Sequence, residues 1–163
     1  MRVLGIDPGI ARTGWAILDE KNGKIEALAF NCFETKSTEK TEVRLEKIHK
    51  QIQSLIKKYS PEVIAIEELF FNTNAKTAFV VGQARGVVLL ACAQKKIQSF
   101  CYTPLQVKLA VSGFGRAEKD QVAKMVMAIL RLKEIPKLDD TSDAMAVGLT
   151  HLFSRKIKAQ TDL

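Results

Sequence analysis

Apolar and polar positions alternate along this chain in a way that divides it into short strands and amphipathic helices. Residues 2–7, RVLGID, form an apolar run that Pro8-Gly9 stops directly after an acid, which predicts a buried strand with Asp7 at its carboxyl end. Two further runs, 14–18 and 24–33, flank the polar stretch Asp19-Glu20-Lys21-Asn22-Gly23, and Asn-Gly is a strong hairpin signal. The first three strands are therefore expected as an antiparallel meander. From 41 to 59, Leu45, Ile48, Ile52, Leu55 and Ile56 recur at helical spacing with lysines between them, and Pro61 closes the segment. Val63-Ile64-Ala65-Ile66 is continuously apolar and ends at Glu67, as a strand buried on both faces would. There follow an apolar helix over 74–94, a short strand over 97–102, a helix from Pro104, and a loop at Ser112-Gly113-Phe114-Gly115. A helix over 117–132 and a last one, opened by Asp139 or Asp140 and running to about Phe153, complete the pattern. Three strands before the first helix indicate an α/β fold with a mixed sheet sandwiched by helices. Residues 1–153 are expected as one domain and 154–163 as a polar, frayed tail.

Length agrees, since 163 residues make about one domain that buries roughly 70% of its unfolded surface. Cys32, Cys92 and Cys101 lie far apart with no CxxC pair, so neither a disulfide framework nor a zinc cluster is suggested. The N-terminus lacks the pattern of an export signal, and the longest apolar stretch, 78–93, contains Gln83 and Arg85, which predicts no membrane span and a cytoplasmic protein.

Charge changes the picture. The net charge is +7, and residues 95–137 hold nine Lys/Arg against three acids, while the rest of the chain is almost balanced. Charge so localised suits a phosphate-binding face better than a solubilising coat. Lys108, Arg116 and Lys119 surround the glycine loop and a helix N-terminus, a place suited to backbone phosphates. Lys124, Arg131 and Lys133 fit a solvated helix face as well.

Against this basic background four acids stand at element ends: Asp7, Glu67, Asp140 and Asp143. Each has a structural alternative. Asp140 with Asp143 three residues on reads equally as a helix cap, Asp7 as a turn-former, and Glu67 as a surface acid beside Glu68. Their joint placement favours a site, because parallel neighbouring strands would aim Asp7 and Glu67 into one crevice at their carboxyl ends. Like charges about 4 Å apart repel by about 4 kcal/mol at an effective dielectric near 20, so such a site needs protons or cations. Carboxylates without His or Cys select hard ions, Mg²⁺ or Mn²⁺, and two ions about 3.5 to 4 Å apart would suit in-line phosphoryl displacement. His49 is expected on a helix surface or at its boundary; His151 lies about two turns beyond Asp143 on nearly the same face, and contact with the site is the lesser of its two readings.

Phe70 and Phe71 follow Glu67-Glu68 where a surface loop is expected, and an aromatic there could stack on bases. The next helix is apolar around most of its circumference, with Gly82 and Gly86 one turn apart, which predicts packing on the sheet at one side and on a second subunit at the other. Burial in a large core is the alternative.

Taken together, LGIDPG with Thr13-Gly14, IEE-x-FF, NAKTA-x-x-x-GQARG, Pro104-x-x-Val107-Lys108, GRAEK and D-x-x-DAMA resemble the RuvC crossover (Holliday) junction resolvases, in order and through almost the whole chain. The resemblance implies an RNase H-like fold of five strands with the second antiparallel. It also implies a homodimer built on the GQARG helix, with Phe79, Gly82, Gln83 and Gly86 as interface candidates. The family's acidic tetrad falls on Asp7, Glu67, Asp140 and Asp143, ranking Glu68 and Asp139 second; its stacking aromatic falls on Phe70, with Phe71 beside it as a second aromatic that could stack instead, and its phosphate-binding lysines fall on Lys108 and Lys119. The implied activity is Mg²⁺-dependent (Mn²⁺ as substitute) paired cleavage of a four-way DNA junction, with branch-migration motor proteins as partners. A nuclease acting on RNA-DNA hybrid or structured RNA, a non-catalytic junction binder and an actin-like ATPase are the rivals.

Overall fold

The computed structural model describes residues 1–68, 75–134 and 136–161, with backbone alone for 75–77 and 156–161. A five-stranded sheet runs in the order β3-β2-β1-β4-β5, built from β1 (Arg2–Asp7), β2 (Arg12–Lys21), β3 (Lys24–Glu34), β4 (Val63–Glu67) and β5 (Gln98–Tyr102). β2 is antiparallel to both of its neighbours, and β1, β4 and β5 run parallel. The Asn-Gly hairpin forms as the sequence predicts, with Asn22 at φ 50° and Gly23 at φ 76°, the two positive angles that a tight turn matched to strand twist requires.

Strand parity assigns side chains to the two faces. Leu4, Ile6, Trp15, Ile17, Ile64 and Ile66 meet α1 (Thr41–Tyr59) and α2 (Ala75–Gln94) on one side. Val3, Ala16, Leu18, Val63 and Ala65 meet α3 (Pro104–Ser112), α4 (Lys119–Leu130) and α5 (Asp139–Thr161) on the other. The apolar continuity of β4 thus reflects burial on both faces.

Two expectations are corrected, for one reason. β2 extends past the predicted 14–18, and α5 continues to Thr161, about two turns beyond the expected end at Phe153. Asp19 and Glu20 are not turn residues. Both are buried within the strand, where Asp19 pairs with Arg2 at 3.0 Å and Glu20 with Arg155 at 2.7 Å. Arg155 lies in the segment expected to fray, so the ion pair that hides Glu20 also ties down the helix extension. The three cysteines are free thiols. Among the described residues no helix is long and apolar enough to cross a membrane.

Candidate metal and phosphate site

The site is assembled by two glycines. On β1, a Cβ added to Gly5 would stand 2.1 Å from the carbonyl oxygen of Ala144, and on β2 one added to Gly14 would stand 1.9 Å from that of Asp140. Only glycine lets the first turns of α5 press backbone to backbone on the sheet. Parity then does the rest. Asp7 follows Val3 and Gly5, and Glu67 follows Val63 and Ala65, so both carboxylates emerge on the face that α5 covers, at adjacent parallel strand ends. Asp7, Glu67 and Asp143 line a cleft of about 430 Å³ whose opposite wall is Pro104, Val107, Lys108, Lys119 and Val122.

The cations of that wall are placed by helix caps. Thr103 caps α3, accepting from the Gln106 N–H at 3.2 Å, while the Gln106 side chain accepts from the Thr103 N–H at 2.9 Å; Pro104 begins the helix and Gly113, at φ 73°, ends it. Lys108 is thereby held one turn inside α3, facing the acids. Gln121 accepts from the Glu118 N–H at 2.9 Å, which starts α4 at Lys119 rather than at the predicted Ala117.

Electrostatics dominates the cleft. Burial first, then the charges of Glu67 and Asp143, pushes Asp7 from 3.8 up to about 9, and a hydrogen bond to Glu67 keeps the proton on Asp7. Burial also raises Glu67, although that hydrogen bond works the other way. Asp143 is raised by burial in spite of Lys119, whose Nζ lies 2.9 Å from its Oδ2. Lys119 is raised in turn: burial opposes the shift, but the hydrogen bonds to Asp143 and Asp139 outweigh it. Arg12, at the start of β2, sets Nε 3.2 Å from Asp140 Oδ2. That oxygen is shut off from solvent and accepts no hydrogen bond, so the contact is an ion pair poorly aligned for one.

Among the described residues no three acids already converge to grip one ion. The donor set nevertheless fits a hard divalent cation. All four donors are carboxylates, one buried oxygen lacks a hydrogen bond, and Asp7 holds against Glu67 a proton that a cation would release.

Other candidates fall elsewhere. Arg116 is exposed in the turn between α3 and α4 and does not line the cleft. Phe70 and Phe71 lie outside the described residues. His151 is buried away from the acids, 2.8 Å from the Tyr102 hydroxyl and against the Phe100 ring, so the lesser reading of it as a site contact is not realised. His49 bonds Gln94 at 2.9 Å on the helical surface, as expected. Glu68 is exposed, and Asp139 bonds Lys119 outside the cleft lining. On α2, Phe79 is 68% exposed, Gly82 and Gly86 are exposed and Gln83 is half-buried, all on the side opposite the buried Ala84, Val88 and Ala91. Sequence reasoning missed Arg12; a lone cation two residues before Gly14, which abuts Asp140, was the available signal.

Known proteins resemble this chain in sequence and fold. The family described as crossover junction endodeoxyribonuclease RuvC matches residues 3–151. The chain is 50% identical over 155 residues to that enzyme from Caldicellulosiruptor saccharolyticus, spanning 94% of this chain and 93% of the relative. It is 51% identical over 158 residues to the one from Finegoldia magna, spanning 97% and 96%. A solved structure of Thermus thermophilus RuvC in complex with Holliday junction substrate superposes with a TM-score of 0.92 at 37% identity, over 97% of this chain and 96% of that one. With its RNase H-like sheet and its acids gathered under α5, this chain belongs to the crossover junction endodeoxyribonuclease RuvC family.

Proposed function

We infer that this chain resolves four-way DNA junctions by hydrolysing one phosphodiester in each of two opposed strands, with 5′-phosphate and 3′-hydroxyl ends as products. The observation that carries the reading is the cleft in which Asp7, Glu67 and Asp143 face Lys108 and Lys119, in a protein of net charge +7. Asp7, Glu67, Asp140 and Asp143 are the residues that would hold a pair of Mg²⁺ ions. When bound, such ions activate water and stabilise charge on the attacking and leaving oxygens.

The chain's own side chains do the remainder. Asp7 gives up the proton it holds against Glu67 when cations replace it, which adds one negative charge to the cleft floor. Lys108, which makes no ion pair among the described residues, would take the scissile phosphate, and Lys119 at the amino end of α4 a neighbouring one. Val107, Val122 and Pro104 keep the facing wall apolar and limit bulk water.

The exposed stripe of α2, from Phe79 through Gly82, Gln83 and Gly86 to Leu90, supports a two-fold dimer. Such a pair would set two clefts on two strands of like polarity, matching the symmetry of the junction. A gel assay with a synthetic four-way junction tests the whole reading. Mg²⁺ should give paired nicks near the crossover, with linear duplex and RNA-DNA hybrid left uncut; cutting without divalent metal, or equal cutting of hybrid, sinks it.

A further inference from the structure

Three cations stand around the acids, and they are not equivalent. Lys108 lines the cleft and makes no ion pair among the described residues. Lys119 Nζ, in contrast, lies 2.9 Å from both Asp143 Oδ2 and Asp139 Oδ2, and Arg12 approaches Asp140 Oδ2 at 3.2 Å and Asp139 Oδ1 at 4.0 Å. Asp139, whose side chain is 57% exposed and lies outside the cleft lining, therefore links both cations into one chain running Asp140, Arg12, Asp139, Lys119, Asp143. Asp7 and Glu67 make no ion pair among the described residues; they share a proton instead.

We propose that Arg12 is a positioning residue which, with Lys119, acts as a resident counter-cation that a divalent ion must displace, Asp139 then keeping the displaced side chains at the cleft rim where DNA phosphate arrives. Geometry places the Arg12 backbone beside Asp140. Thr13 Oγ1 donates to the Gly9 carbonyl at 2.6 Å, fixing the turn after β1, and Gly14 abuts the Asp140 backbone, so the residue between turn and contact is delivered to Asp140 by the fold. Asp140 Oδ2 is closed to solvent, and one enclosed oxygen cannot serve a guanidinium and a metal ion at once. Asp139 has no such enclosure, so it can hold a cation without excluding anything from the centre.

The proposal rests on the metal-centre reading above, and Mn²⁺ titration of the full chain without DNA, followed by electron paramagnetic resonance, separates the two. Arg12→Gln should tighten Mn²⁺ binding by about fivefold, the equivalent of losing one modest ion pair. Lys108→Gln removes the same charge from the same cleft without breaking a pair, and should shift affinity less than about twofold. Arg12→Lys should return affinity to within about twofold of the parent. Equal tightening in Arg12→Gln and Lys108→Gln reduces the effect to net charge and overturns the proposal, as does an unchanged affinity in Arg12→Gln. A lysine that fails to restore the parent value overturns it in favour of a steric block. If the parent itself binds no Mn²⁺, the metal reading has failed and takes this proposal with it. Arg12 is 45% exposed at its side chain, so loss of the fold is not expected, and metal-free melting curves of each variant check that directly.

Discussion

Asp7 shows how a single residue can set stability against chemistry. In the unfolded chain its carboxyl ionises near 3.8, whereas in the fold burial and the neighbouring acids hold its proton to about 9. The folded state therefore binds more protons than the unfolded one throughout that interval, so stability is complete below about pH 4 and is lost as pH rises through about 9. Asp7→Asn removes the ionisable group and keeps a similar shape. It should abolish Mg²⁺-dependent cleavage, raise metal-free stability at pH 8 by about 1 to 2 kcal/mol, and flatten the decline between pH 5 and 9. For a chain of this size that is a rise of about 2 to 8 °C in melting temperature. Calorimetry across pH checks it; a variant less stable than the parent at pH 8 would mean that the carboxyl is ionised and satisfied in the fold.

Helix α5 controls the site at the scale of elements, because it carries Asp140 and Asp143 and is seated through Gly5 and Gly14. Gly14→Ala places a methyl where the Asp140 carbonyl oxygen already stands, and backbone on both sides leaves nothing flexible to yield. It should cost about 1 to 3 kcal/mol and depress cleavage at least tenfold by moving α5, although Gly14 carries no reactive group. Denaturation midpoint and single-turnover rate measure the two effects. An alanine variant with normal cleavage would show that α5 can shift without disturbing its acids. The elements themselves were largely legible in the chain. A strand stopped by Pro8-Gly9 after an acid, and an apolar strand stopped at Glu67, already located two carboxylates at neighbouring strand ends. The long-range ion pairs were not legible. Asp19 and Glu20 read as a turn because periodicity cannot see Arg2 and Arg155 approaching from distant positions, and Arg12 went unnoticed because its partner lies well over a hundred residues away. Local pattern reports burial by water exclusion; it is blind to burial by pairing.

The proposed two-fold dimer belongs to the scale of the whole molecule. α2 buries Ala84, Val88 and Ala91 on the sheet and leaves Phe79 and Leu90, 68% and 51% exposed, on its outer side. Phe79 and Leu90 are eleven positions apart, about three turns, so they share one stripe with Gly82 and Gly86 between them. Among the described residues an added Cβ on Gly86 meets nothing within 4 Å, so none of them requires its lack of a side chain. In the proposed dimer, close approach of a second α2 across a two-fold axis would give both features a purpose. Each mutation then acts twice, once per copy. Phe79→Asp should remove about 1.5 to 3 kcal/mol of apolar burial per copy and set two carboxylates near each other at the axis, enough to leave monomers at micromolar concentration. The cleft lies across the sheet from α2 and should survive intact, so Mn²⁺ binding should be unchanged while junction resolution falls by more than tenfold and the residual products become single, uncoupled nicks. Sedimentation velocity together with a junction gel decides it. Should Phe79→Asp remain dimeric and cut in pairs, the outer stripe of α2 is not the axis, and the two clefts must be aligned through another surface.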